Sequence, residues 1–443
     1  MKRRLSVGET ISVGSMLFGL FFGAGNLIFP VSMGQEAGAN VWGALLGFLV
    51  TGVGIPLLGV AALGMSKSDG LLEMGQIVGR GYSLFFTVAL YLTIGPFFAI
   101  PRCASTSFSV GLAPLITNDA VEKWVTIIFC ACFFGAVLFF SLRPSKILVW
   151  VGKVLTPLFL ICLAILIVRA LISPTVAYTS VTPSEAYEKG AFFKGFLEGY
   201  NTMDALAGLA FGIVVVNAIK GLGVKEPTAI AGNTVISGVI GCSIMAVIYA
   251  ALSIAGAQSG AVSADGGEAL GLIARTYFGE IGGWVLAVTV TLACLKTAVG
   301  LITSCGEIFR VILPNGPSYT VWTVGFCILS FVISTFGLST IIAWSLPVLM
   351  FLYPLAMTLI LLSLATPLLG KDKLTCRLVT GFTLAAALFD LVKSLPEFLQ
   401  SNAVVAAINR VGAYLPMSEL GLGWICPAVV GLVIGIAARK IRN

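Results

Sequence analysis

Histidine is absent from all 443 residues. Its absence removes the commonest general base near neutral pH, the HExxH zinc site and most imidazole-held transition metals, so enzymatic readings lose most of their tools. Charge is scarce as well: 10% of residues are charged against 58% apolar. Together with repeated apolar runs of about 20 residues, that balance excludes soluble classes and points to an all-α polytopic membrane protein. The ten cysteines form no CxxC pair and lie mainly inside apolar runs, Cys130 and Cys294 among them, as small core residues rather than disulfide partners or metal ligands. No low-complexity tract or soluble domain interrupts the chain, so residues 1–443 are read as one transmembrane domain. The net charge of +7 does not indicate nucleic acid, because Lys and Arg sit mostly in short loops.

Apolar runs bounded by charge, glycine or proline predict about 12 spans, at residues 9–33, 41–65, 82–112, 122–141, 145–171, 191–219, 228–256, 281–311, 318–336, 340–365, 375–393 and 420–438. An even number puts both termini on one side. The basic clusters Lys2, Arg3, Arg4 and Arg439, Lys440, Arg442, with the excess of Lys and Arg in alternate loops, make that side cytoplasmic. MKRR precedes a first span that carries Glu9 and Thr10 without a small-residue cleavage site, so this span is expected to be retained. Two outer connections exceed a turn, 172–190 and 257–280. The second holds EALGLIARTYFGE, an amphipathic helix suited to a lid.

The stretch FGLFFGAGNLIFPVSMG, from Phe18 to Gly34, is long enough to enter a bilayer yet punctured in its middle. Gly23, Gly25 and Asn26 are poor helix formers, and Pro30 cannot donate to the carbonyl of Asn26. Unwound backbone at membrane depth survives only where protein buries it or it lines a wet cavity, so the break marks either a binding site or a packing kink. Span six, GYNTMDALAGLAFG from Gly199, is interrupted in the same way. Spans five and ten place Pro157 and Pro354 alike, in LTPLFLICLAILI and LYPLAMTLILL. A five-plus-five repeat, 9–171 followed by 191–365 with 375–438 outside it, would have to be inverted, because spans one and six start on opposite faces.

If both spans unwind, the freed N–H groups of Ala24, Gly25 and Asn26 form the positive end of a half-helix, which suits a carboxylate. Leftover carbonyls around Gly19 and Phe22 suit a cation or an ammonium group. The candidate substrate-binding residues are therefore Gly23, Ala24, Gly25 and Asn26 in span one, and Gly199, Tyr200, Asn201, Thr202 and Asp204 in span six. A mid-membrane carboxylate is costly, so Asp204 is either functional or the cap of the helix that follows it. Asn26, Thr202 and Asn233 offer hard oxygen ligands for an alkali ion or the substrate amine. In span eight, VGLITSCGE sets Thr303 and Ser304 beside the carbonyl of Gly300. These oxygens either hold an alkali ion weakly or bond back to their own helix. Arg102, Lys153 and Lys296 fall inside spans as gate, ion-pair or tethered-cation candidates. Lys153 could replace a sodium ion, and Arg102 could snorkel to an interface. Asp390 is taken as a packing or interface residue.

FFGAGNLIFPVSMGQEAG, GYNTMDALAG and the twelve-span layout resemble the bacterial branched-chain amino acid transport system II carriers, the leucine/isoleucine/valine:cation symporter family, over essentially the whole chain. The resemblance implies a LeuT-like inverted-repeat fold with discontinuous helices one and six. GAGNLIFPV is similar to the GLGNFLRFPV segment of the LeuT group. That likeness implies a sodium site at Asn26, Thr202 and Asn233 beside the substrate, and a second at Gly19, Phe22, Gly300, Thr303 and Ser304. Three departures stand out: a gating Arg is lost before the Phe-Pro pair, Asp204 replaces a small hydroxyl, and span three lacks a central Tyr. The expected function is alternating-access import of leucine, isoleucine and valine across the inner (plasma) membrane, driven by a cation gradient, sodium first. The partners are the amino acid, a monovalent cation and the lipid bilayer, with no cofactor beyond the coupling ion. A proton-coupled symporter or exchanger of the same fold is the nearer rival, and a channel or membrane enzyme the more distant.

Overall fold

The computed structural model describes residues 5–66, 68–116, 118–142, 160–260, 262–370 and 372–442. Among them the secondary structure is helical throughout, with no strand. In chain order the helices are α1 (Val7–Phe21), α2 (Ala24–Ala37), α3 (Val41–Leu49), α4 (Ile55–Ser66), α5 (Leu71–Met74), α6 (Arg80–Leu92), α7 (Ala99–Gly111) and α8 (Asp119–Leu142). Then come α9 (Leu160–Ile172), α10 (Glu185–Glu188), α11 (Ala191–Glu198), α12 (Asp204–Gly221), α13 (Pro227–Ala257), α14 (Gly266–Ile312) and α15 (Tyr319–Ser334). The C-terminal part holds α16 (Leu338–Leu364), α17 (Thr366–Leu369), α18 (Lys373–Lys393), α19 (Glu397–Gln400), α20 (Ala403–Gly412) and α21 (Ile425–Arg442). Among the described residues, eight helical stretches are long and apolar enough to cross a membrane by length and composition. The chain is a multi-pass membrane protein.

Both predicted breaks are present. Ser6 opens α1 through a reciprocal cap with Glu9. The helix ends because Phe22 turns extended, and α2 restarts after Gly23, also extended. In span six, α11 passes through a 3₁₀ turn, Gly199–Thr202, into Met203, whose φ of 62° is left-handed. That conformation is rare for a residue with a side chain and tends to persist where surrounding structure imposes it. Two further irregularities are π-helical turns, Val50–Gly54 between α3 and α4 and Thr93–Phe97 between α6 and α7. A left-handed Gly279 separates the amphipathic start of α14 from its apolar length, which matches the expected short outer helix. Lys153 and Pro157 lie outside the described residues.

Small residues set the helix crossings around the breaks. A methyl group at Gly34 of α2 would collide with the carbonyl of Ser253 on α13, and one at Gly256 of α13 with the carbonyl of Val31 on α2. The same reciprocity joins α3 and α11, where Gly47 faces the Phe192 carbonyl and Gly195 the Ala44 carbonyl. Backbones that approach this closely gain van der Waals contact, which is what holds helices together in lipid.

Candidate binding site at the two helix breaks

Asn26 lies in the first turn of α2 and folds back over the break: its Oδ1 accepts the Gly23 N–H at 2.7 Å. In a continuous helix that N–H would go to the Gly19 carbonyl four residues earlier. The break therefore takes the Gly23 N–H away from the Gly19 carbonyl, one of the positions that the sequence assigns to a cation.

The amide of Asn26 then reaches across to span six, donating to Asp204 Oδ2 at 2.6 Å and to the Tyr249 hydroxyl. Tyr249, on α13, donates to the same Asp204 oxygen at 3.1 Å. Asp204 is 2% exposed and Asn26 1%. A carboxylate buried to that degree is tolerable only with such donors. Asp204 does not cap its helix: it is the first residue of α12, no side chain caps that end, and its carboxylate points to Asn26 and Tyr249.

The 3₁₀ turn of span six serves the same place. Thr202 Oγ1 donates to the Gly199 carbonyl at 2.9 Å and accepts the Asp204 N–H at 3.3 Å. Tyr200 is wholly buried, its ring stacked on Tyr353 of α16 with centroids 4.1 Å apart. Asn201 presents its carbonyl to Arg102 Nη1 at 2.7 Å and its amide to Glu198, which also pairs with Lys194. Gly199 serves packing, since a methyl group there would strike Thr51 in the π-helical turn.

Arg102 does not snorkel. It is 3% exposed on α7, with its guanidinium over the Phe29 ring at 5.0 Å and against Gly25. A buried cation and a buried carboxylate thus flank the first turn of α2.

The other expected ligands lie on α13 and α14. Asn233 accepts the Leu5 N–H and donates to Ala229, near the opposite end of α13 from the site. Tyr249 is the α13 residue that reaches Asp204, about 24 Å further along the helix at 1.5 Å per residue. On α14, Thr297 stands against the break, with Cγ2 and Oγ1 3.5 and 3.8 Å from where a methyl group at Gly23 would lie. Thr303 is about 9 Å beyond Thr297 along that helix, and its hydroxyl bonds back to Val299. A methyl group at Gly300 would meet nothing within 4 Å outside its own helix backbone. Hydroxyls on a long helix carry no mark of register, so residue type alone did not single out Tyr249 and Thr297. Lys296 is half-buried next to Thr297.

Residues 6–442 match the family model described as "Branched-chain amino acid transport protein". The chain belongs to that family. It is 47% identical to the branched-chain amino acid permease BrnQ of Lactobacillus delbrueckii subsp. lactis, over 99% of this chain and 100% of that protein. Identity is 41% to the permease BraB of Bacillus subtilis, covering 98% and 96%. It is 38% to the branched-chain amino acid transport system 2 carrier protein of Pseudomonas aeruginosa, again covering 98% and 96%. The fold is that of MHP1, a nucleobase-cation-symport-1 family transporter solved in a closed conformation with bromovinylhydantoin bound. It aligns at a TM-score of 0.58 and 11% identity over 97% of this chain and 92% of that one, a LeuT-like architecture. These family members are named as permeases and carriers, not enzymes.

Proposed function

We propose that this branched-chain amino acid transport protein is a secondary symporter that imports leucine, isoleucine and valine by alternating access, driven by a cation gradient, sodium first. One observation carries the reading: two membrane helices break at the same place, and Asn26 ties one break to the carboxylate at the other. The substrate ammonium faces Asp204 and the carbonyls of the span-six turn, while its carboxylate faces the start of α2. The cation is carried with the substrate, between the end of α1 at Gly19 and Phe22 and the Thr297 face of α14.

The twelve-span inverted repeat belongs to this proposal. Its support is the exchange of contacts between the halves: span one crosses span seven through Gly34 and Gly256, and span six crosses span two through Gly195 and Gly47. A two-fold that swaps span one with six and two with seven exchanges these crossings. The basic termini place both ends in the cytoplasm, with the protein in the inner (plasma) membrane.

Labelled leucine uptake into proteoliposomes, with sodium, lithium and proton gradients imposed separately, is the deciding experiment. Sodium should drive accumulation. Accumulation driven by protons alone would support the proton-coupled rival, in which the buried carboxylate of Asp204, held only by neutral hydrogen-bond donors, carries the coupling proton.

A further inference from the structure

Arg102 holds more hydrogen-bonding capacity than its surroundings use. Nη1 donates to the Asn201 carbonyl at 2.7 Å, and the flat face lies on Phe29. Nε has no hydrogen-bond partner among the described residues, although the side chain is 3% exposed. Nη2 points at Gly25, where a methyl group would stand 2.8 Å from it. The Nε–Nη2 edge is the fork by which a guanidinium takes both oxygens of a carboxylate. It faces the first turn of α2, a helix of 14 residues whose leading N–H groups have no side-chain cap. Two independent sources of positive potential, a buried guanidinium and a helix N-terminus, therefore converge on one spot beside Gly25. Both would be costly to leave unanswered at this depth.

We propose that Arg102 binds the α-carboxylate of the amino-acid substrate, side-on through Nε and Nη2, with the open N–H groups of Ala24 and Gly25 completing the site. The assignment rests on reading the protein as an amino-acid carrier and adds the residue that recognises the substrate's anionic end. Asp204, held by Asn26 one residue on from Gly25, takes the ammonium, so the two buried charges match a zwitterion end to end. The glycine at position 25 is required because any side chain would occupy the space between guanidinium and backbone. Ser105, one turn beyond Arg102 on α7, lines a cleft of about 730 Å³ bounded also by Ser109, Asp265 and Ser334. The hydroxyl of Thr106, on the same face of α7 as Arg102, is buried with no hydrogen-bond partner among the described residues.

The test is calorimetric binding of leucine and of leucinamide, which lacks the carboxylate, to the purified full-length protein in sodium-containing detergent. Wild type, Arg102→Gln and Arg102→Lys are compared, each checked for monodisperse elution and cooperative melting. Wild type should prefer leucine about a hundredfold, the scale of a buried charge-assisted pair. Arg102→Gln should lose that factor for leucine while leucinamide affinity holds, so the preference collapses. Arg102→Lys, a point charge without the fork, should keep part of it; if the Gln variant does not fold, a tenfold or greater loss of preference in the Lys variant carries the result. A variant that keeps the wild-type leucine-to-leucinamide ratio, even with both affinities lowered, overturns the proposal, because that is what a purely structural tie to Asn201 would give. Failure of wild type itself to bind leucine overturns the carrier reading, and is seen before any variant is made.

Discussion

At the scale of single residues, the site is a small set of buried polar groups whose partners come from distant parts of the chain. Asn26 joins its own helix break to Asp204, 178 positions away, and Tyr249 joins the same carboxylate from a third helix. Asp204→Asn keeps the size of the side chain and removes its charge. Because the helix start of α12 does not depend on this side chain as a cap, the variant should fold. Leucine uptake should fall more than tenfold at every pH, the loss of a charged contact to the substrate ammonium at about 1.5–3 kcal/mol. Uptake and leucine counterflow in proteoliposomes separate the rivals: both should be lost under sodium symport, whereas retained counterflow without accumulation would indicate that Asp204 carries a coupling proton. Wild-type accumulation would reduce the residue to packing. The importance of Asp204 was legible in the sequence because a carboxylate in an apolar run is rare. That of Tyr249 was not, because a Tyr in an apolar run is ordinary.

At the scale of elements, the breaks were readable from local chemistry: glycines and Asn26 in span one, and the GYNT turn in span six, are poor helix formers. The crossings that hold those breaks together depend on glycines whose role is visible only across two helices. Gly195→Ala puts a methyl group into the Ala44 carbonyl and should force α3 and α11 apart, costing about 1–3 kcal/mol as overpacked interiors do. Gly325→Ala, within α15 and with nothing near the added carbon, should be neutral or raise stability by up to about 1 kcal/mol through helix propensity. Thermal melting of the two purified variants checks the pair: the first should melt several degrees below wild type, the second no lower. Equal melting of both would mean that the α3–α11 crossing tolerates separation.

At the scale of the whole molecule, a substrate held by the two buried charges, as proposed, would be selected by their surroundings. Phe29 and Tyr200 with Tyr353 supply apolar surface, and no further charge of either sign hydrogen-bonds to Asn26, Asp204 or Tyr249 among the described residues. An apolar pocket separates substrates that differ by one methylene only modestly, by about 10–200-fold at most. Isoleucine and valine should therefore compete with labelled leucine, while lysine and glutamate, each adding a charge that such walls cannot pair, should not. Competition assays over a range of unlabelled amino acids measure this directly, and inhibition by lysine comparable to that by valine would refute the apolar pocket.

The sequence by itself determined the class, the apolar helices, the places where two of them break, and the residues Asn26, Thr202 and Asp204, because each of these follows from composition or from a local conflict between residue and helix. Tertiary structure alone decided register. Asn233 has suitable chemistry but lies near the opposite end of α13 from Tyr249, which reaches Asp204, and on α14 it is Thr297 that stands against Gly23. It decided Arg102 too, which sequence chemistry allowed to run out to an interface and the fold instead buries against Gly25. The physical reason is that an α-helix repeats every 3.6 residues and 5.4 Å with the same backbone throughout. Which turn of it faces a neighbour depends on how the helices pack, and no single helix carries that information.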